Sequence, residues 1–229
     1  MLIAHTSDMH GKLSAKKAKR LFHLGQSGAL LLDSGDSLSA GNLDIRWRER
    51  TLKLMSLAGY TAGALGNREF HPFPSFLKWK LRDAVFPFLS ANLLPEGKME
   101  KIRPYILLER EGYRIAIVGL TLPQVRGFWE KLLPLRFSEP IFCGIAMEEK
   151  LEGICDFIVF LTHIGIGRDV KLARMLKKPS IILGGHNHIL LEEPIKINDC
   201  YILHSGCYAR YVGLIEIEKG RVKGWVEKL

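Results

Sequence analysis

The segment Gly184-Gly185-His186-Asn187-His188 places two histidines, one residue apart, directly after an apolar run at residues 180–183. Such a run is typical of a buried strand. Two glycines let the backbone leave the strand and approach other groups closely, so that both imidazoles can face one site. Imidazole nitrogens are common metal ligands. The pattern therefore indicates a metal site, although a single His-x-His motif often arises by chance.

Four other strand-like runs in the chain also end in residues that can bind a metal. Asp8 and His10 follow residues 2–5, Asp36 follows 29–33, Asn67 follows 60–65 and His163 follows 157–161. Carboxylate, amide and imidazole groups together form a mixed oxygen and nitrogen site, which suits Mn, Fe, Zn and similar ions. Each signal alone has a structural explanation; Asp8, for example, could cap the next helix. Together the five segments predict a hydrolase with two metals.

The elements that must position these residues form an α/β pattern. The apolar runs at 29–33 and 157–161 are short and continuous, which indicates strands buried on both faces. Helical spacing predicts helices from Ser14 to Leu24, across 46–59 and across 169–176. Residues 105–109 and 114–119, joined by a Glu-Gly turn, predict a hairpin. Without repeats or an obvious linker, residues 1–229 are predicted to form a single domain.

The composition is that of an ordinary globular protein, with 47% hydrophobic and 25% charged residues. No signal-like segment and no apolar run of about 18 residues occurs, so we expect a cytoplasmic protein with no membrane partner. The net charge of +9 leaves nucleic acid open as a partner. The basic clusters largely lack interleaved aromatics for base stacking, so the sequence favours a solvated basic surface. The sequence indicates no oligomeric state.

The motif series resembles that of the calcineurin-like metallophosphoesterase superfamily. The motifs are Asp-x-His at Asp8, Gly-Asp at Asp36, Gly-Asn-x-Glu at Asn67, Thr-His-x-Gly at His163 and Gly-Gly-His-x-His at His186. Residues 33–36, 64–70, 89–92 and 205–213 are similar to the catalytic domain of 5′-nucleotidases and 2′,3′-cyclic-nucleotide phosphodiesterases. The resemblance covers nearly the whole chain. It implies a four-layer α/β/β/α sandwich of two mixed β-sheets flanked by helices, forming a single metallophosphoesterase catalytic domain.

The resemblance also implies two divalent metal ions, drawn from Mn, Fe, Zn, Co and Ni. One ion would be held by Asp8, His10 and His188, the other by Asn67, His163 and His186, with Asp36 bridging the two. A hydroxide bridging the cations would then attack the phosphorus of a small phosphate ester, either a monoester or a diester, with nucleotides among the candidates. Asp33 is expected to order the loop that carries Asp36.

The chain departs from the family pattern at Arg68 and His71. The family usually has a histidine at the first position, and its 5′-nucleotidases have an aspartate at the second. Arginine stays charged and cannot act as a general acid, but it stabilises negative charge. We therefore hypothesise that Arg68 is an electrostatic clamp and His71 a proton donor; the alternative is that both are rim residues and turnover is low. Tyr208 and Arg210 are further candidates for substrate contact.

Two other functions remain open from the sequence. One is a nuclease-like phosphodiesterase, favoured by the positive charge. The other is a metal-binding scaffold without catalysis, because Arg68 replaces the usual histidine. The 5′-nucleotidases that the chain resembles use a further C-terminal domain to stack the nucleoside, which this sequence does not include, so we do not expect their nucleotide specificity to transfer. His5, His23 and His204 are expected to be structural or surface histidines.

Overall fold

The computed structural model describes residues 1–38, 49–70, 77–94, 101–122 and 136–229. Two mixed β-sheets account for most of the described strands. His71, the predicted proton donor, lies outside the described residues.

The first sheet has seven strands, five of which are adjacent and pair parallel. Its strands are β1 (Leu2–Thr6), β2 (Leu30–Asp33), β3 (Ala62–Ala64), β4 (Phe88–Leu89), β6 (Ile102–Arg103), β14 (Tyr211–Glu218) and β15 (Arg221–Lys228). They lie in the order β15-β14-β1-β2-β3-β4-β6. Strands β1 to β4 and β6 are parallel, whereas β14 pairs antiparallel with both β1 and β15.

The second sheet has six strands and a parallel centre. Its strands are β7 (Tyr105–Arg110), β8 (Tyr113–Thr121), β10 (Phe157–His163), β11 (Ser180–Gly184), β12 (Ile195–Ile197) and β13 (Cys200–His204), in the order β12-β13-β11-β10-β8-β7. Strands β8, β10, β11 and β13 are parallel. The antiparallel β7–β8 pair confirms the predicted hairpin. A separate two-stranded ribbon joins β5 (Leu93–Leu94) and β9 (Arg136–Phe137).

Five α-helices and two 3-10 turns complete the described elements. The helices are α1 (Ala15–Gln26), α2 (Arg50–Ala58), α3 (Leu77–Lys80), α4 (Pro140–Lys150) and α5 (Ile166–Met175), and the 3-10 turns are Arg68–Phe70 and Leu81–Asp83. The Ser14 hydroxyl accepts a hydrogen bond from the backbone of Lys17 and starts α1 as predicted. No helix in the described ranges is long and apolar enough to cross a membrane.

Helices α2 and α5 differ from the prediction in where they begin or end. Helix α2 begins at Arg50 rather than at 46, because Glu49 has an extended backbone; residues 46–48 are outside the described ranges. Helix α5 begins at Ile166 rather than at Asp169 and ends one residue earlier. Apolar periodicity locates the buried face of a helix, but its ends depend on the conformation of the flanking residues. Here Gly165, with φ 83° and ψ 151°, is the residue that precedes α5.

Three apolar clusters show the order of the layers. The inner cluster joins the two sheets and includes Leu32 and Leu161, whereas Leu31 points to the outer cluster beneath α1 and α2. This alternation is that of a strand covered on both faces. Phe160 and Leu172 belong to the third cluster, between the second sheet and helices α4 and α5. The predicted four-layer α/β/β/α sandwich is therefore confirmed.

Candidate metal centre

Five of the predicted ligands converge at the ends of parallel strands. Possible ligand atoms of Asp8, His10 and His188 lie within 4.8 Å of one another, and so do those of Asp8, Asp36 and His163. The carboxyl ends of parallel strands are where sites on such sheets are usually built. Asp8 belongs to both groups, so the two form one continuous cluster.

Imidazole nitrogens and carboxylate oxygens face each other across this cluster at short range. His188 Nε2 is 3.6 Å from Asp8 Oδ1, and His163 Nε2 is 3.4 Å from Asp36 Oδ2. His10 Nε2 is 3.0 Å from His188 Nε2 and 3.9 Å from Asp36 Oδ2. The mixed donor set is of the kind that binds Mn, Fe or Zn.

Two of the buried polar atoms here lack hydrogen-bond partners among the described residues. They are Asn67 Oδ1 and His163 Nε2. An unpaired buried polar group costs free energy, so native structures usually satisfy it with protein, water or an ion. A cation would satisfy both atoms, and the residues present therefore fit a metal.

His186 and Asn67 border the same cluster. The ring centroid of His186 is 5.2 Å from that of His163, and the His186 backbone N–H donates to both oxygens of Asp8 at 3.1 and 3.0 Å. Asn67 precedes Arg68, whose backbone N–H donates to Asp36 Oδ1 at 2.7 Å. The structure thus brings all seven predicted ligands to this region, either within the cluster or along its border.

The backbone that presents these ligands is in the left-handed region. The φ angles are 49° at Asp8, 45° at His10, 54° at Asp36, 84° at His186 and 59° at His188. The segment that carries Asp8 and His10 is therefore not an extended continuation of β1. Left-handed residues other than glycine carry strain, and such strain concentrates at functional sites.

Gly184 and Gly185 allow neighbouring side chains to approach the backbone closely. A Cβ atom on Gly184 would lie 2.1 Å from His204 Nε2, and one on Gly185 would lie 3.0 Å from His163 Nδ1. Neither glycine has a positive φ; the left-handed turn begins at His186. A side chain on Gly184 would therefore collide with the side chains of His204 and Asp169.

Asp36 Oδ2 and His163 Nε2 face each other at 3.4 Å without a hydrogen bond, and each shifts the pKa of the other. Burial alone would raise the pKa of Asp36, but the adjacent imidazolium of His163 outweighs it and holds that pKa at about 2. Burial likewise opposes protonation of His163, but the Asp36 carboxylate raises its pKa to about 10. His163 Nδ1 also hydrogen-bonds the carbonyl oxygen of Ser34 at 2.7 Å, which fixes the ring and leaves Nε2 for the cluster.

Asp33 orders the loop that follows β2, as predicted. Its Oδ1 accepts hydrogen bonds from the Gly35 backbone at 2.9 Å and from the Ser37 hydroxyl at 2.5 Å, and its Oδ2 accepts one from the Thr6 hydroxyl at 2.7 Å. Burial raises the pKa of Asp33 to about 7, against the effect of these hydrogen bonds.

Glu69 ties together the two loops that carry Asp36 and Asn67. Its Oε1 accepts from the backbone N–H of Ser37 at 3.0 Å and of Leu38 at 3.4 Å. Its Oε2 accepts from Gly66 at 2.7 Å and from Asp36 at 3.0 Å. Sequence reasoning noted this glutamate as part of the Gly-Asn-x-Glu motif but gave it no role. Its position three residues after Gly66 was the available signal.

Comparison with known proteins agrees with this geometry. Residues 1–190 match the calcineurin-like phosphoesterase family. The chain belongs to this family. Membership confirms the resemblance and the class of enzyme, a metal-dependent phosphoric ester hydrolase.

Several individual relatives are nucleotide enzymes by name. Protein UshA from Yersinia enterocolitica is 31% identical over 92% of this chain, which covers 48% of that relative. The trifunctional nucleotide phosphoesterase protein YfkN from Bacillus subtilis is 26% identical over 97% of this chain, but the match covers only 18% of YfkN. The 5′-nucleotidase precursor from Thermus thermophilus superimposes with a TM-score of 0.83 at 26% identity, covering all of this chain and 54% of that one. The chain thus spans between 18% and 54% of the length of these relatives.

In this phosphoesterase, Tyr208 lies beside the cluster, and Arg210 contacts the Tyr208 ring. The Tyr208 ring centroid is 5.5 Å from that of His10 and 5.4 Å from that of His188, and its backbone N–H donates to the carbonyl oxygen of Asp8. The Arg210 guanidinium is 5.4 Å from the centre of the Tyr208 ring. Of these two predicted substrate contacts, Tyr208 is therefore the one that borders the candidate metal centre directly.

Two other histidines of this phosphoesterase are buried and structural, as expected. His5 hydrogen-bonds the hydroxyls of Ser34 and Ser205 through its two ring nitrogens. His204 Nε2 lies 2.8 Å from Asp169 Oδ2, which links the second sheet to α5. His23, in contrast, is exposed on α1.

Proposed function

We propose that residues 1–229 form a single catalytic domain that hydrolyses a small phosphate ester with the help of two divalent metal ions. The observation that carries the proposal is the convergence of Asp8, His10, Asp36, His163 and His188 in a member of this family. Asn67 and His186, on the border of the cluster, would complete the two ligand sets.

In this proposal the protein would hold the ligands in place, and the metal ions would supply positive charge. Divalent cations held here would lower the pKa of bound water and neutralise phosphate oxygens. Asp36 lies between His10 and His163, at 3.9 and 3.4 Å, which supports a bridging role for its carboxylate. The His163 ring is held by Ser34 and the Asp36 carboxylate by the Arg68 backbone, so both ligands are oriented in advance.

Arg68 would stabilise negative charge on the phosphoryl group. It begins the 3-10 turn directly after Asn67, and its backbone binds Asp36, so its side chain starts next to the cluster. A guanidinium cannot donate its proton near neutral pH. Protonation of the leaving group would therefore fall to another residue, and His71 remains our candidate from the sequence.

Nucleotides are the substrates to test first. The support comes from the relatives, which include a 5′-nucleotidase and a nucleotide phosphoesterase. Because the chain spans about half of the 5′-nucleotidases it matches, the contacts that those proteins make to the base and sugar are not used to propose a substrate for this chain. We therefore propose the phosphate ester as the recognised group and leave the alcohol open.

A substrate screen with metal analysis tests the proposal. Purified protein would be assayed with nucleoside monophosphates, cyclic nucleotides and aryl esters in Mn²⁺, Zn²⁺, Co²⁺ and Ni²⁺, while bound metal is counted. Asp36→Asn should remove most activity and bound metal. Asp156→Asn, which affects an exposed ion pair with Arg114, should change neither. Two metals per chain without hydrolysis of any ester would instead support the scaffold alternative.

The roles of Arg68 and His71 need a separate comparison. Arg68→Ala and His71→Ala would be assayed on an aryl phosphate, whose good leaving group needs little protonation, and on an alkyl phosphate. We expect Arg68→Ala to slow both reactions and His71→Ala to slow mainly the alkyl ester. Unchanged rates in both variants would refute both roles, that of Arg68 as an electrostatic clamp and that of His71 as the proton donor.

A further inference from the structure

A cavity of about 560 Å³ opens next to the candidate metal centre. It lies between the start of α5 and the loop that follows β11. His186 and Asn187 line one wall, and the His186 ring packs 5.2 Å from that of His163. The cavity therefore adjoins the His163 side of the cluster, and its volume is within the range of small-molecule binding sites.

Two basic side chains also line this cavity. Arg168 and Lys171 both line it, and their spacing of three residues places them on one face of α5. The other face of the helix carries Leu172 and Ala173, which are buried in the core. The two cationic side chains are thus exposed to the cavity because the rest of the helix is anchored beneath them.

Other groups around the cavity also favour an anion. Helix α5 begins here, since the Ile166 backbone N–H donates to Asn187 Oδ1 at 2.9 Å, and the start of a helix carries partial positive charge. Burial and the charge of His163 lower the pKa of the His186 imidazole, and the positive charge of Arg168 lowers it further. Glu139 is the acidic residue among the described lining, and its carboxylate already accepts the Phe142 N–H at the start of α4.

We propose that this cavity binds a second phosphate group of the substrate. Esters that carry two phosphoryl groups would then be preferred, with one group at the metals and the other between Arg168 and Lys171. The guanidinium fork matches phosphate oxygens, and the lysine adds a mobile point charge. The inference rests on the proposed hydrolysis and specifies its substrate class.

The test compares two substrates that differ by one phosphate, AMP and adenosine 3′,5′-bisphosphate. For wild type, kcat/KM for phosphate release should be higher for the bisphosphate. In the Arg168→Gln, Lys171→Gln double variant, the ratio of the two values should fall by roughly tenfold or more, because the loss of a single charge-assisted hydrogen bond already has an effect of about that size. Arg174→Gln removes a charge from the same helix at a position that does not line the cavity, and should leave the ratio unchanged.

Equilibrium binding separates this inference from the proposed hydrolysis. If neither nucleotide is hydrolysed, the proposed function fails for nucleotides, and calorimetric titration with the same two compounds in Mn²⁺ still tests the subsite. Tighter binding of the bisphosphate, lost in the double variant but kept in Arg174→Gln, would support it. Equal affinity for the two nucleotides, or an equal effect of both variants, would overturn it. Thermal unfolding of each variant checks that the exposed substitutions leave the fold intact.

Discussion

Replacing Glu69 by glutamine should disable the metal centre without contacting a metal. Each carboxylate oxygen of Glu69 accepts two backbone N–H groups, one pair from residues 37 and 38 and the other from residues 36 and 66. A glutamine has one accepting oxygen, so one pair of N–H groups must face its NH₂ group in either orientation. At about 1.5 kcal/mol for each hydrogen bond to a charged group, the loss is roughly 3 kcal/mol of stability.

The functional effect should be larger than the loss of stability. The lost pair is either the one from residues 37 and 38 or the one from residues 36 and 66, so a segment that places Asp36 or Asn67 is released. A displacement of about 1 Å in a catalytic site can cost about 10²-fold in rate. We therefore expect kcat/KM for Glu69→Gln to fall by about 10²-fold, with reduced metal content, even where the variant is fully folded.

Glu148→Gln provides the matched control. Glu148 is also buried and also accepts backbone N–H groups, from Lys177 and Lys178 at the far end of α5. One of its oxygens accepts both, so a glutamine retains more of the contact, and the variant should lose some stability but no activity per folded molecule. Assays belong at pH 8, because burial and the Asp36 charge raise the pKa of Glu69 to about 7. Wild-type metal content and kcat/KM in Glu69→Gln, or equal losses in the control, would refute the reasoning.

Two further predictions concern the same region. In Gly66→Ala, the new Cβ would lie 2.3 Å from Asp36 Oδ1, so bound metal measured by elemental analysis should fall, whereas Gly25→Ala, with nearest contacts of 3.4 Å, should keep it. The second concerns His5, whose pKa is lowered to about 3 by burial and by His204, from 6.5. As pH falls below about 6.5 the unfolded chain gains a proton that the folded chain excludes, so the free energy of unfolding falls. The urea midpoint of His5→Gln should depend less on pH between 7 and 5 than that of wild type; parallel curves would contradict this.

Much of the architecture was predictable because strands buried on both faces appear in the sequence as continuous apolar runs. The runs at 29–33 and 157–161 became β2 and β10, each covered on both faces. The polar residues that follow such strands could be predicted to meet, since parallel strands end at a common edge. The starts of α2 and α5 could not be predicted, because they depend on the backbone angles of Glu49 and Gly165.

The details of the site were less predictable because they depend on contacts between distant segments. Nothing near Glu69 in the sequence shows that its carboxylate reaches residues 36–38 of another loop. The need for glycine at position 184 arises from His204 and Asp169, which approach it from other elements. The left-handed backbone at Asp8, His10 and His188 is likewise unexpected, since these residue types do not require it.

The strained backbone at the ligands leads to a prediction about metal removal. A left-handed residue other than glycine costs roughly 1 kcal/mol or more, so the loops must be held by other interactions. Three backbone hydrogen bonds do this between the loops after β1 and β2: Asp8 N–H to Gly35 O, His10 N–H to Asp36 O, and Gly11 N–H to Ser37 O, at 2.9 to 3.0 Å. These bonds use no side chain of the ligand set. The site should therefore be formed by the fold itself rather than by the metal.

Chelation should then abolish activity while leaving the fold in place. Loss of an ion present at about a thousandfold over its Kd removes roughly 4 kcal/mol, which lowers Tm by roughly 10 °C for each ion lost in a chain of this size. The far-UV circular dichroism should not change, and the Asp8 and His10 amides should stay protected from hydrogen exchange, because their acceptors are the carbonyl oxygens of residues 35 and 36. A small zinc domain behaves differently, since it unfolds when its metal is removed. Rapid exchange of these two amides after chelation would mean that the metal, and not the paired loops, holds the ligands in their left-handed conformation.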